Sequence, residues 1–382
     1  MLPAYVPPCP TPPPGMALAL DAGGTNVRAA LVRFDREGGV VIENSRHAPL
    51  PGASGAPVTR EKFFGALASL VHSVGPPDLP VGFVFSYPTR ILPNRDGILL
   101  RWTKEINAPG VEGTRVGQGL SEALCGLCGR APERMTVLND TVATLSAGST
   151  AVSGTGENIG LIVGTGTNMA YFEHHEALGK LAPGEAGPGL QAINIESGNF
   201  DELPMSCFDH GLDEQSADPG QQLFEKQVSG RYLGELARRV LRGAVGKNLL
   251  PGSITDQLGE PWQLETTHLA AALDNPARFE GPLCGIPESH REVAVVLMRA
   301  ITERSAALVA TVLDALIAHL GLAAAPVGIV AEGSTFWKMP GYRRMVETAL
   351  DDLIPPIGSA PRFVTMQIDD ANLIGAAVAA LS

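Results

Sequence analysis

Two carboxylates stand where the chain would otherwise bind phosphate or begin a helix. In LALDAGGTN, Leu18 to Asn26, an apolar run meets Asp21 directly before Gly23, Gly24 and Thr25. A glycine turn after a strand lets backbone N–H groups approach a phosphate closely. A bare carboxylate ~4 Å from a phosphate oxygen would oppose that by about 4 kcal/mol at an effective dielectric near 20. A divalent cation reverses the sign, and Mg²⁺ takes one or two carboxylates, several waters and phosphate oxygens. Asp21 therefore points to Mg²⁺ with a nucleoside triphosphate, the plainer alternative being a side chain that caps its own turn. In VLND, Val137 to Asp140, a strand ends in two polar residues ahead of a helix. Asp140 could be that helix's N-cap, or a base that takes a proton from a substrate hydroxyl.

The elements around these residues read as two α/β lobes. Strands are expected at Ala17 to Leu20, Val27 to Phe34, Val40 to Glu43, Val81 to Phe85 and Met135 to Leu138, with helices near Arg60 to Val74 and Val116 to Leu127. The pattern then restarts. A helix over Thr141 to Gly148 leads to strands at Ile159 to Val163, Asn168 to Phe172 and Ala192 to Ile195. Long helices follow over Gln221 to Arg242 and Ser289 to Leu320, then a strand at Val327 to Ala331 and helices at Tyr342 to Leu353 and Leu373 to Leu381. LDAGGTN and IVGTGTN align without a gap, so each lobe opens with strand, glycine turn and strand. A Rossmann or P-loop site needs a helix directly after the loop, and GxxxxGK[ST] occurs nowhere. Two such hairpins suit a clamp on a polyphosphate. The expected division is a tail at 1–16, a small lobe at 17–138 and a large lobe at 139–382, with the C-terminal helix packing back on the small lobe.

Composition bounds the partners. The 382 residues include 28 Lys plus Arg against 40 Asp plus Glu, a net charge of −12 that disfavours nucleic acid. The longest apolar candidate, Val293 to Leu320, is interrupted by Arg299, Glu303, Arg304 and Asp314, so no membrane span is expected. Five cysteines without a secretory leader point to reduced thiols in the cytoplasm. Cys125 and Cys128, a lone CxxC in a helical pattern, are expected to pack in the core. Pro3, Pro7, Pro8, Pro10, Pro12, Pro13 and Pro14 predict an extended, disordered tail, with Met16 as an alternative start. Glu173, His174, His175 and Glu176 are expected in a solvated turn rather than around a metal.

In this order the motifs resemble the hexokinase family, from Ala17 to Ser382. DAGGTNVR is similar to its first phosphate motif, VGFVFSYP with GILLRWTK to its sugar segment, and VLNDTVATLSAG to the hinge bearing the catalytic Asp. LIVGTGTNMAYFE resembles the second phosphate motif, INIESGNF and QQLFEKQVSGRYLGEL two further sugar segments, and VGIVAEGSTFWKMPGY the adenosine motif. The resemblance implies an α/β, two-lobed actin-like (ribonuclease H-like) ATPase fold, with duplicated βββαβα cores around a central cleft. It implies that Ser86, Thr103, Lys104, Asn139, Asp140, Asn168, Glu196, Gln222 and Glu225 surround a hexose, with Asp140 as base and Lys104 as a mobile charge at the reacting group. Asp21 would hold Mg²⁺ through water. Gly23, Gly24, Thr25, Asn26, Arg28, Gly164, Thr165 and Gly166 would meet the phosphates of ATP, and Gly333 and Ser334 its adenosine. Glu332 and Ser197 replace the Asp and Trp common at those positions, and DDANLIGAAVAAL lacks the small Gly/Ser run usual before its alanines. The implied activity is ATP-dependent phosphorylation of a hexose at its 6-hydroxyl, the first step of glycolysis. Glucose is the first candidate, with mannose and fructose after it, in a monomer or homodimer. The alternative from another class is a non-catalytic sugar sensor on the same fold. The repressor-type glucokinases are disfavoured because their cysteine-rich zinc motif is missing.

Overall fold

The computed structural model describes residues 2–103, 106–151, 155–179, 189–321, 325–354 and 361–382. In the first half the strands are β1 (Leu2–Pro3), β2 (Gly15–Gly23), β3 (Asn26–Phe34), β4 (Val40–Pro49), β5 (Val81–Phe85), β6 (Thr89–Ile91), β7 (Gly97–Leu99) and β8 (Met135–Leu138). Helices α1 (Arg60–His72) and α2 (Val116–Cys128) lie among them, and α3 (Asp140–Ala151) follows β8. The second half carries strands β9 (Asn158–Val163), β10 (Thr167–His174), β11 (Leu190–Asn194), β12 (Val327–Glu332) and β13 (Phe363–Met366). Its helices are α4 (Cys207–Glu214), α5 (Leu223–Val228), α6 (Leu233–Gly246), α7 (Thr266–Asp274), α8 (Glu288–Leu320), α9 (Ser334–Lys338), α10 (Tyr342–Leu353) and α11 (Ala371–Leu381).

The echo between the two glycine turns extends to the topology. One sheet runs β4-β3-β2-β5-β8 and the other β1-β11-β10-β9-β12-β13, so each contains the same five-strand order. Within both, the three hairpin-connected strands pair antiparallel and the last two join in parallel. This is the duplicated two-lobed core of the actin-like fold. Among the described residues no helix is long and apolar enough to cross a membrane.

The sixth strand of the larger sheet corrects the expectation of a disordered tail. Leu2 and Pro3 pair antiparallel with Asn194 and Ile193 of β11. Ala4 N–H donates to Ala192 O at 2.9 Å, Ala192 N–H donates to Val6 O at 2.7 Å, and Ala4 and Val6 are buried. Proline composition misled here because an edge strand needs only one of its two hydrogen-bonding sides, so Pro is tolerated there.

Three other expectations also differ. The single helix over Gln221 to Arg242 is two helices, α5 and α6, separated around Ser229 and Gly230. A Cβ on Gly230 would lie 2.4 Å from Thr335 Oγ1 and 2.9 Å from Gly164 O, and Gly230 N–H donates to Gly164 O at 2.7 Å. The chain is bent there so that its backbone meets the second glycine turn. On α2 the buried face is Val116, Leu120 and Leu124, at a spacing of four, which leaves Cys125 exposed and Cys128 half-buried rather than in the core. His174 and Glu176 are exposed as expected, but Glu173 is half-buried: its side chain accepts from Tyr171 OH at 3.2 Å and pairs with His319 near the end of α8.

Helix α11 packs on α3 and also on β2 and β5, so it spans the junction of the lobes. Its small residues permit this. A Cβ on Gly375 would sit 1.8 Å from Ala143 O, and one on Gly82 of β5 would sit 2.0 Å from Ala376 O.

Candidate functional site

The register of β2 against β3 places Arg28 directly opposite Asp21, and Gly23 opposite Asn26, so the hairpin turns at Gly24 and Thr25. Gly24 has φ +78°, which favours glycine. Arg28 Nη2 donates to Asp21 Oδ2 at 3.1 Å and its Nη1 to Asp370 Oδ1 at 2.9 Å. Asn372 Nδ2 reaches Asp21 Oδ2 at 3.5 Å. Among the described residues Asp21 Oδ1 is buried without a partner, as is Ser86 Oγ. A Cβ on Gly23 would lie 3.4 Å from the first and 3.5 Å from the second, so both face one space that glycine keeps open. Burial pushes the Asp21 carboxyl up, Arg28 pulls it down, and the charge of Asp140 adds to the rise.

The second turn resembles the first in sequence but not in register. Val163 pairs with Thr167, so the loop is Gly164 to Gly166, closed by Gly164 N–H donating to Gly166 O at 2.9 Å. Thr335 Oγ1 donates to Gly164 O at 3.1 Å, and Arg231 N–H to Thr165 O at 3.3 Å. Gly333, with φ +107°, approaches this loop so closely that a Cβ would lie 2.3 Å from Val163 O. Ser334 then begins α9. Thus Gly164, Thr165, Gly166, Gly333 and Ser334, distant in sequence, meet at one place. Beside them the Glu332 carboxyl is raised by burial and lowered by the Gly333 N–H and Arg28.

A cleft of about 1010 Å³ opens beside the second turn, lined by Ser86, Thr103, Asn139, Asp140, Thr165, Gly166, Asn168, Glu196, Gln222 and Glu225, among others. Asn139 Oδ1 accepts from Thr141 N–H at 2.8 Å, and Asp140 Oδ1 accepts from the same N–H at 2.8 Å, so both orient from the start of α3. Asn168 Nδ2 donates to Asn194 Oδ1 at 2.7 Å, and Asn194 Nδ2 donates to Glu196 Oε1 at 2.7 Å. Glu225 Oε2 accepts from Thr167 N–H at 3.0 Å. Glu196 and Gln222 hold left-handed backbone, φ +57° and +53°, which for such residues marks a site held by its surroundings. Lys104 lies outside the described residues.

Asn194, Asp370 and Asn372 were missed in the sequence. Asn194 stands two residues before Glu196 near the end of β11, a spacing that could have flagged it. Asp370 and Asn372 reach the first turn only because α11 folds back from the end of the chain. The site can surround a polyhydroxyl ligand with amide and carboxylate groups, with the carboxylate of Asp140 and the second glycine turn both in its lining.

Two family models, both described as hexokinase, match residues 1–150 and 158–382. Hexokinase-1 of Oryza sativa subsp. japonica is 33% identical over 96% of this chain and 79% of its own length. Hexokinase-1 of Saccharomyces cerevisiae is 33% identical over 100% of this chain and 84% of its own. The chain belongs to the hexokinase family. The solved hexokinase from Schistosoma mansoni complexed with glucose superposes with a TM-score of 0.80 at 27% identity, covering 100% of this chain and 88% of that one. A hexokinase phosphorylates a hexose, and the cleft between the lobes has the polar lining such a substrate requires.

This lining has a cost for the ligand-free hexokinase. Burial pushes the carboxyls of Glu196 and Glu225 above the ordinary range; Asn194 opposes it at Glu196 and the Thr167 N–H at Glu225. A carboxyl raised in the folded state gives a stability contribution complete below the unfolded pKa and lost as pH rises through the folded one. Glu196→Gln removes that loss. The melting temperature of ligand-free Glu196→Gln is therefore expected to exceed that of the unsubstituted protein by about 2 °C at pH 8, with the gap closing toward pH 4. A lower melting temperature at pH 8 would contradict this account of Glu196.

Proposed function

We propose that this hexokinase transfers the terminal phosphoryl group of ATP to the 6-hydroxyl of a hexose, glucose first among them, giving hexose 6-phosphate and ADP at the entry to glycolysis in the cytoplasm. The observation that carries the reading is the buried, unpartnered Asp21 Oδ1 at a glycine turn, facing the same interlobe region as Asp140. An orphaned carboxylate oxygen suits a hydrated divalent cation, because Mg²⁺ keeps several waters that donate to nearby carboxylates.

In this reading Asp21 would hold Mg²⁺ through water, and the ion would supply neutralising charge at the phosphates. Gly23, Gly24, Thr25, Asn26, Gly164, Thr165 and Gly166 would offer backbone and side-chain donors to those phosphates, and Gly333 and Ser334 would lie at the adenosine. Arg28, which pairs with Asp21 and Asp370, would turn toward phosphate as one of these donors. Ser86, Thr103, Asn139, Asn168, Glu196, Gln222 and Glu225 would bind the sugar hydroxyls and orient the ring. Asp140 would accept the proton of the 6-hydroxyl as that oxygen becomes the nucleophile, with Lys104 placed near the transferring group. The lobes would divide between residues 138 and 139.

The test is a coupled ADP-release assay with ATP, Mg²⁺ and a panel of glucose, mannose and fructose. Glucose is expected to give the highest kcat/KM. If no sugar released ADP while glucose still raised the melting temperature, the chain would be a sugar sensor instead.

A further inference from the structure

We propose that Lys226 is a positioning residue for the hexose: it pins the segment 215–222, which forms one wall of the cleft, against α5. This rests on reading the cleft as the hexose site.

Lys226 follows Glu225 on α5, yet its side chain is only 3% exposed and is not itself part of the cleft lining. Its Nζ donates to Asp213 Oδ1 at 2.7 Å and to Asp218 O at 2.8 Å, and lies 3.1 Å from Asp218 Oδ1. Two of the ammonium's three donors are hydrogen-bonded, and the Asp218 carboxylate pairs with its charge. Asp213 also accepts Gly220 N–H through both carboxylate oxygens, at 3.0 and 2.9 Å. Ser216 Oγ donates to Asp213 O at 2.7 Å. One buried cation thus closes the end of α4 and the 215–222 segment into a single knot.

That segment supplies Gln215, Ser216, Ala217, Asp218 and Gln222 to the cleft lining. Gln222 is in left-handed backbone at φ +53°, a conformation that survives only where neighbours enforce it. The knot is the enforcing neighbour on one side, and α5 with Glu225 on the other. Without the ammonium, the carboxylates of Asp213 and Asp218 face each other with a shared cation gone, and mutual repulsion drives the segment outward. Gln222 then leaves its place, while Asp140 and both glycine turns, which Lys226 does not touch, keep theirs.

The experiment is steady-state kinetics of the full chain with glucose, ATP and Mg²⁺. Lys226→Met is expected to raise the hexose KM by about 10- to 100-fold, with kcat within about 3-fold and the nucleotide KM unchanged, the signature of lost substrate positioning. Lys226→Met with Asp218→Asn removes the repulsion and should recover most of that rise. Lys226→Arg, whose planar fork fits these acceptors poorly, should fall between. A hexose KM unchanged in Lys226→Met, a parallel loss in kcat and nucleotide KM, or no recovery in the double variant each overturns the proposal. If Lys226→Met does not fold, Asp213→Asn, which takes a charged acceptor from Lys226 and lies outside the cleft lining, is expected to raise the hexose KM by about 3- to 10-fold, and an unchanged value overturns the proposal equally. Glu225→Gln separates this from the site reading: if it too leaves the hexose KM unchanged, the cleft assignment fails rather than the role of Lys226.

Discussion

Asp140→Ala is expected to lower kcat for hexose phosphorylation by about 10²- to 10⁴-fold while leaving hexose binding measurable by calorimetry. A sugar hydroxyl is a weak nucleophile at neutral pH, and a positioned base contributes an acceleration of that order. Asp140 sits in the cleft wall at the first residue of α3, with Oδ1 accepting from Thr141 N–H at 2.8 Å. Because Asn139 Oδ1 caps the same N–H, α3 retains a cap in the variant, so lost turnover would report chemistry rather than unfolding. Asp140→Asn, which keeps size and one acceptor, should be nearly as impaired, since an amide does not take the proton. Normal turnover in either variant would remove Asp140 from the base role.

Asp21→Asn is expected to lower turnover at fixed Mg²⁺ by about 10- to 100-fold, the usual cost of losing a group that orients a metal's ligands. Excess Mg²⁺ should restore part of it. The stability change should run the other way. Burial raises the Asp21 carboxyl in the folded state despite Arg28. Its stability contribution is therefore complete below the unfolded pKa and is lost as pH rises through the folded one. The amide is spared that loss, and Arg28 still has Asp370 at 2.9 Å. The ligand-free variant should thus melt no lower than the unsubstituted protein at pH 8. An unchanged Mg²⁺ dependence of turnover would exclude Asp21 from the metal site. A lower melting temperature at pH 8 would show instead that its contact with Arg28 outweighs the burial of its charge.

Most strands were legible because each lobe alternates short, continuously apolar runs with glycine turns, and strands buried on both faces write such runs into the sequence. Met135–Leu138, Val81–Phe85 and the start of α1 at Arg60 fall where the pattern puts them. The N-terminal strand was not legible, because its partner, β11, lies half the chain away in sequence and its prolines mimic a solvated tail. Nor was the break between α5 and α6. It is set by Gly230 meeting the backbone of Gly164, a contact with no local signature. The exposure of Cys125 depended on which stripe of α2 faces the core.

The sequence by itself pointed to the duplicated core, the two glycine turns and the carboxylates Asp21 and Asp140 beside them, because turn chemistry and apolar runs are local and leave local traces; Glu196 and Glu225 came only from the family resemblance. Only the tertiary structure decided that Asp21 keeps one oxygen unpartnered, that Asn194 links Asn168 to Glu196, that Asp370 and Asn372 return to the first turn, and that Lys226 ties down the wall beside Gln222. Those are pairings between segments far apart in the chain. Their partners are chosen by how two lobes and a C-terminal helix of small residues pack, and packing is fixed by the whole chain at once.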